Sequence, residues 1–526
     1  MLEVFVPSRD VLTSYPILLQ QLQQWVGGAT TPLTLLFASA LLGSVLTWTR
    51  RQGQTTGPLP PSPGTALPLV GHLHLLKMGS DPRVMFSEMR EKLGDIFSFY
   101  AGNRLVVVLN GYDVIREALV KKAGVFSHRA HTFVSQEMAQ GKGIINTSGA
   151  EWREQRGFME RAFRSLGIGR TSTMNHKIQV EVDCLLDHLD QSCCQRQPVD
   201  FGPLLRLSFS NVIISVIYGH RFELDDPKFN NVMTALKNCF ETFGNTEPLN
   251  FFPAVRFLPG DPYRFWFCIE NMNVLESQLV YPELAEHEKN LGDAETDDVV
   301  ATYLREVMQK QKSETPTYMD KESLVKVAGD ILAGGSESPS ATANWVLLYM
   351  VRFPQVQEKC YQELLDHVGK DRTPTLEDRS RLPYLEATIM EAQRHADVGP
   401  LAMAHGLARD TELRGFHLPQ DAIVIVNIHS VHYEVETWGD PEVFRPERFM
   451  GEDGRVKRHP NFIPYSMGPR ACPGEQMARM ELFLYVSSIL HRYRLSQHGP
   501  TPPSLEGRLT LINSPQPFSL SLERRC

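Results

Sequence analysis

The chain contains no Cys-x-x-Cys pair, so neither a structural zinc site nor a dithiol redox centre is signalled. Its eight cysteines (Cys184, Cys193, Cys194, Cys239, Cys268, Cys360, Cys472 and Cys526) are scattered, which suits a reducing compartment better than a disulfide framework. Positive charge is not in excess: 53 Lys and Arg stand against 61 Asp and Glu, a formal net charge of −8 that gives no reason to expect nucleic acid as a partner. No Ser/Gly linker or low-complexity tract divides the middle of the 526 residues, so one large catalytic unit is the simplest reading. No internal repeat is visible. A flavin or nicotinamide fingerprint is missing as well, so the chain gives no sign of binding either group itself.

One uncharged apolar run stands out, Thr31 to Trp48, which as a helix spans roughly 27 Å, just enough to cross a bilayer. Arg50 and Arg51 follow at once and put the downstream side in the cytosol. A buried core helix is the competing reading, since Thr and Ser dilute the run. About thirty residues precede it, too many for a cleaved signal peptide, and Glu3 and Asp10 argue against a mitochondrial leader. Next comes Gly57-Pro58-Leu59-Pro60-Pro61-Ser62-Pro63-Gly64, which cannot be helix. The expected order is a luminal segment (1–30), a transmembrane anchor (31–48), a basic and proline-rich hinge (49–64), and a catalytic domain (65–526).

In the body, Ile96–Tyr100 and Leu105–Leu109 read as strands around the turn Ala101-Gly102-Asn103, and Ala422–Asn427 as a further short strand. The rest is mainly helical in pattern. The clearest helix runs from about Asp320 to Arg352, with Leu324, Val327, Ala328, Ile331 and Leu332 on a 3.6-residue period and Pro354 ending it. Its middle, Gly334-Gly335-Ser336-Glu337-Ser338-Pro339, is poor helix material. Pro339 cannot donate to the Gly335 carbonyl, so the helix is expected to open there. The freed carbonyl, the Ser338 hydroxyl and the Glu337 carboxylate would make a polar groove able to relay protons.

The richest segment is Pro464-Tyr465-Ser466-Met467-Gly468-Pro469-Arg470-Ala471-Cys472-Pro473-Gly474. Its only cysteine, Cys472, stands where an apolar helix begins, among unpaired backbone N–H groups that favour a thiolate. Pro473 suits the first turn of that helix. Such a thiolate can be an axial haem ligand. A plain buried cysteine at a turn is the alternative that the residue alone leaves open.

With Tyr465, Gly468, Arg470, Cys472 and Gly474 in place, the segment resembles the cysteine-ligand loop of the haem-thiolate monooxygenases, the cytochrome P-450 family, Tyr465 replacing the usual Phe. Gly334, Gly335, Glu337 and Ser338 resemble that family's acid–alcohol motif, with serine for the usual threonine. Serine keeps the hydroxyl but loses the methyl that restricts its rotamer, which predicts a leakier proton delivery. Glu391-Ala392-Gln393-Arg394 and Arg448 resemble the family's buried Glu–Arg–Arg network. The resemblance implies a mainly α fold with small β-sheets, a long central helix over haem b, and a membrane anchor. It implies Cys472 as iron ligand, Glu337 and Ser338 as catalytic, and Trp152, Arg156, His405, Arg470, Gly468 and Gly474 as cofactor-binding residues. Arg470 and His405 are expected as cations facing the propionates.

The resemblance runs from about Pro58 to the end and is nearest to the microsomal family-two group, with the ecdysteroid-hydroxylase and long-chain fatty-acid-hydroxylase branches as nearest guesses. It implies an endoplasmic-reticulum protein that takes electrons from an NADPH-dependent flavoprotein reductase and puts one atom of dioxygen into a lipophilic substrate. Arg153, Arg161, Arg164, Lys457 and Arg458 are candidates for the reductase face, and Phe251, Phe252, Phe257 and Leu258 for a greasy lip near the membrane. Asp397 and Gly399 depart from the apolar segment expected above the haem. A haem-thiolate isomerase or dehydratase acting on lipid peroxides, and a non-catalytic haem or lipid carrier, are the alternatives.

Overall fold

The computed structural model describes residues 57–76, 81–168, 172–290 and 298–525. The expected anchor at 31–48 lies outside the described residues. Among those described, no helix is long and apolar enough to cross a membrane.

In chain order, the elements that position the site are α1 (Pro82–Leu93), β1 (Ile96–Ala101), β2 (Arg104–Leu109), β3 (His128–Arg129) and α2 (Phe133–Ala139). Then come α3 (Gly149–Ser165), α4 (Ser172–Cys194), α5 (Phe201–Ile217), α6 (Pro227–Phe243) and α7 (Phe265–Leu275). They are followed by α8 (Lys321–Arg352), α9 (Pro383–Ala396), β4 (His405–Gly406), β5 (Ile423–Val426) and α10 (Glu475–Arg492). Strands β1 and β2 form the expected hairpin, Ile96 opposite Leu109 and Ala101 opposite Arg104. Its tight turn rests on Gly102, at φ 59°. Strand β2 continues in parallel with β5, Val106 beside Ile423, and the sheet runs β1-β2-β5-β4-β3.

The main core is a layer of helices in which α5 is apolar nearly all round, as a helix enclosed on every side must be. Along it lies α8, capped by the Asp320 side chain, which accepts from Ser323 N, and ending at Phe353 before Pro354. The expected opening at Pro339 does not occur: α8 is continuous from Lys321 to Arg352. Proline removes one hydrogen bond, but packing along both flanks of a 32-residue helix outweighs that local cost. Gly335 serves this packing, since a Cβ there would lie 2.7 Å from Cγ1 of Ile213 on α5.

The proline segment is docked on the body: the Pro61 and Pro60 carbonyls accept from the backbone N–H and hydroxyl of Ser98, and that of Pro58 accepts from His417 N. Behind the sheet, Arg394 forks onto Glu391 through Nε and Nη2, both at 2.8 Å, with neither side chain exposed. Arg448 reaches Glu391 at 3.3 Å, and Arg394 also donates to the carbonyls of His432 and Pro441. The bidentate pair lies within α9, and its bonds to Arg448 and to the His432 and Pro441 carbonyls tie that helix to the segment before the cysteine loop.

Candidate functional site

The cysteine loop takes its shape from two left-handed residues, Ser466 (φ 60°) and Gly468 (φ 77°). A side chain at 468 would collide with the Leu119 carbonyl oxygen, so glycine is required by close backbone approach. Cys472 N donates to the Tyr465 carbonyl at 2.9 Å, closing the loop immediately before Gly474, the N-cap residue of α10. The departure at Tyr465 is accommodated, because its hydroxyl accepts from Gln393 Nε2 at 2.7 Å. Cys472 keeps accessible surface, while protein packed around it pushes its thiol pKa up. Opposing that are the N–H groups of Gly474 and Glu475 and the Arg156 charge, the set that stabilises a thiolate once a cation binds it.

Arg470 donates from Nε to the Ser127 carbonyl (2.6 Å) and lies over the Trp152 ring, 4.0 Å from its centroid. Nearby, the sheet register sets Arg129 directly opposite His405. Arg129 and Arg470 have no carboxylate partner among the described ion pairs; burial, with repulsion from Arg156 on both and from Arg129 on Arg470, lowers them to about 10 and about 8. The head of Arg156 is itself shared between Glu160 (2.6 Å) and the Ala471 carbonyl (3.1 Å). Buried cations without counter-charge are costly, so this cluster suits a group carrying two carboxylates, as the haem propionates do. His405 differs from its expectation as a cation. Its Nδ1 donates to the Phe126 carbonyl at 2.6 Å, and burial together with Arg129 lowers its pKa to about 3, so the ring is neutral. It still lines one small cleft with Arg470.

Arg129 has no motif of its own. The signal that finds it is strand pairing with His405, which a sequence read locally does not contain.

On α8, Gly334 faces open space, with no atom within 4 Å of where a Cβ would sit. Ser338 Oγ donates back to the Gly334 carbonyl at 2.9 Å. Glu337 turns away from Ser338 and pairs with Arg206 of α5, Oε1 to Nε at 2.6 Å. Burial pushes its carboxyl up, and Arg206 opposes that. The expected groove therefore holds the Ser338 hydroxyl on the Gly334 carbonyl, without the Glu337 carboxylate. Asp397 is likewise spent locally: in a left-handed conformation (φ 47°), it accepts from Nδ1 of His429 (2.8 Å) and of His432 (3.0 Å).

Two turns before Ser338, Asp330 Oδ2 accepts from the N–H groups of Ile144 (2.6 Å) and Ile145 (3.0 Å). Burial raises its carboxyl to about 6 from 3.8, opposed by those two N–H bonds and by Lys326, itself paired with Glu276. A raised folded-state carboxyl means that the ionised form is penalised by the fold. The penalty is absent below about pH 4 and complete above the folded value, with a ceiling of about 3 kcal/mol. Asp330→Asn, neutral throughout, is expected to gain thermal midpoint relative to the parent as pH rises from 5 to 8. A difference that does not change with pH would contradict this.

Comparison with known proteins agrees with this architecture. The family model described as Cytochrome P450 matches residues 60–522. Cytochrome P450 18a1 of Drosophila melanogaster is 33% identical over 519 residues, 96% of this chain and 95% of the relative. Cytochrome P450 2U1 of Bos taurus is 32% identical over 450 residues, covering 85% and 82% of the two chains. Cytochrome P450 2F2 of Rattus norvegicus is 33% identical over 506 residues, 95% and 100%. With the cysteine loop at the head of α10, the uncompensated arginine cluster beside it and these matches along the whole described body, the chain belongs to the cytochrome P450 family, monooxygenases that bind haem b through a cysteine thiolate.

Proposed function

We propose that Cys472 is the haem ligand and that this enzyme hydroxylates a lipophilic substrate of the steroid or fatty-acid class, using electrons from NADPH through a separate flavoprotein reductase. The observation that carries the site assignment is the pairing of an accessible cysteine at a helix head with arginines that lack counter-charge. Bound haem supplies dioxygen activation and, through thiolate donation, O–O cleavage. Arg129 and Arg470 neutralise the propionates, Trp152 supports Arg470 from below, and Arg156 adds positive charge near the sulfur. His405 offers a neutral ring edge. Gly468 and Gly474 shape the loop and the head of α10.

Ser338, whose hydroxyl donates to the Gly334 carbonyl, carries an exchangeable proton on the open side of α8, and the Gly335 carbonyl, which Pro339 leaves without an intrahelical N–H, is a spare acceptor for water. Glu337 acts from behind this face, its proton occupancy held by burial against Arg206. Retention of both acid and alcohol favours oxygenation over peroxide rearrangement.

A lipophilic substrate is supported by the aromatic lip, where Phe257 is 69% and Trp266 50% exposed, with Leu258 beside them and Phe251 and Phe252 half-buried. The same lip suits a membrane surface, and we place the enzyme on the endoplasmic-reticulum membrane with residues 31–48 as anchor. The reductase would meet the face carrying Arg153, Arg161, Arg164, Lys457 and Arg458, all exposed, although Arg161 and Arg458 are partly neutralised by Glu306 and Glu475.

The test is the reduced carbon-monoxide difference spectrum of the expressed membrane fraction, followed by NADPH consumption with steroids and fatty acids. A strongly red-shifted Soret band with NADPH-linked product is the expected result. Turnover of a lipid hydroperoxide without NADPH would replace the hydroxylase by an isomerase.

A further inference from the structure

One short strap, Gly143–Thr147, has its N–H groups on the long helix and its carbonyls on the arginine cluster. Asp330 Oδ2 takes the N–H of both Ile144 and Ile145. The Ile144 carbonyl accepts from Arg470 Nη1 (3.3 Å), that of Ile145 from Arg129 Nε (3.0 Å), and that of Thr147 from Arg470 Nη2 (2.5 Å). The Thr147 hydroxyl donates to the Gly143 carbonyl at 2.7 Å and closes the strap on itself. Gly143 sits at φ 90°, and a Cβ there would lie 2.5 Å from Asp330 Oδ2, so the strap is pressed against the helix as closely as backbone allows.

The peptide group between Ile144 and Ile145 is the decisive unit. Its N–H points at a carboxylate and its C=O at a guanidinium, so opposite charges polarise the same amide from its two ends. Each charge strengthens the hydrogen bond that the other makes. Asp330 thereby fixes the Ile144 carbonyl for Arg470, although the two side chains do not touch each other, and it holds the Ile145 carbonyl for Arg129.

We propose that Asp330 is a positioning residue for the propionate-binding arginines, acting on Arg129 and Arg470 through the Gly143–Thr147 strap. This rests on the reading of those arginines as propionate partners. The strap also connects two faces of the site, since its N–H side is fixed to the helix that carries Ser338 and its carbonyl side to the cations beside Cys472. A substrate that shifts α8 near Asp330 would be felt at both arginines.

The experiment uses the full-length haem-loaded protein in membranes and measures how fast haem passes to excess apomyoglobin, with resonance Raman of the propionate bending bands alongside. Partners one shell out from a bound metal typically change its retention by 10–100-fold, and Asp330→Ala is expected to speed haem loss by about 10-fold and shift the propionate bands. Asp330→Asn keeps one carbonyl oxygen where Oδ2 stands, able to accept both N–H groups but without the charge, and is expected to restore part of the retention. Thr147→Val, which leaves Asp330 intact and opens only the strap, should move both readouts in the same direction as Asp330→Ala by a smaller factor, and it carries the test if the alanine variant does not load haem. Lys142→Met removes the ion pair to Asp320 (2.7 Å) that ties the same loop to α8 by another route, and is expected to change neither. Unchanged haem loss and bands in Asp330→Ala and Thr147→Val, failure of asparagine to restore, or an equal effect of Lys142→Met would each overturn the proposal. If the parent protein gave no thiolate band with carbon monoxide, the propionate reading itself would fall, which a normal parent spectrum with unaffected variants would leave standing.

Discussion

A Cys472→Ser protein is expected to keep its fold but lose the red-shifted carbon-monoxide band completely, with NADPH-dependent product falling roughly a thousandfold or more. The loop around the residue does not depend on sulfur. Cys472 N closes onto the Tyr465 carbonyl, Ala471 N onto the Gly468 carbonyl, and the left-handed turn at Gly468 rests on Leu119. A serine oxygen can accept the same N–H groups of Gly474 and Glu475 that face the thiol. What it cannot do is donate electron density to iron as a thiolate does. Cys239, Cys268 and Cys360 are buried in packed helices, so none is a ready substitute. Persistence of the band in the serine protein would show another ligand and end the assignment of Cys472.

Arg394→Lys should be nearly as damaging, by a different route: little haem-loaded protein accumulates, and what remains unfolds at markedly lower temperature. The guanidinium fork meets both oxygens of Glu391 at 2.8 Å while its remaining donors serve the His432 and Pro441 carbonyls. An ammonium offers no fork and leaves several of these acceptors unpaired. Breaking a buried ion pair typically costs about 3–5 kcal/mol, against a total stability of about 5–15 kcal/mol for a folded domain. Arg448 also loses part of its setting, because it shares Glu391 and reaches the carbonyls of Trp438 and Asp440. The measurement is the ratio of carbon-monoxide-binding haem to total protein, together with the thermal midpoint. A lysine protein with parental values for both would show that this network does not hold the haem-bearing fold.

The expectations that held rest on local chemistry. The hairpin of β1 and β2 was legible because alternating β-branched and aromatic residues flank a glycine turn, and only its ends moved by a residue. The start and stop of α8 were legible because Asp320 is a good cap and Pro354 a strong stop. The expectations that failed all asked a local residue to decide a contact made with a distant one. Pro339 was expected to open the helix, yet α8 runs unbroken through it, with helix α5 pressed against Gly335. Glu337 was read as a groove carboxylate, yet Arg206 on α5 draws it away. His405 was read as a cation, yet burial and the neighbouring Arg129 make it neutral, against the opposing pull of the Phe126 carbonyl.

By itself, then, the sequence marked the candidate sulfur, the glycines that let its loop turn, and the long helix with its alcohol. These are properties of a few adjacent residues and their backbone preferences. The tertiary structure alone decided which charges meet: Arg129 beside Arg470, Asp330 on the strap that holds both, and Asp397 between two histidines. Electrostatic partners are chosen by distance and burial, and the chain acquires both only when elements far apart in sequence pack against each other.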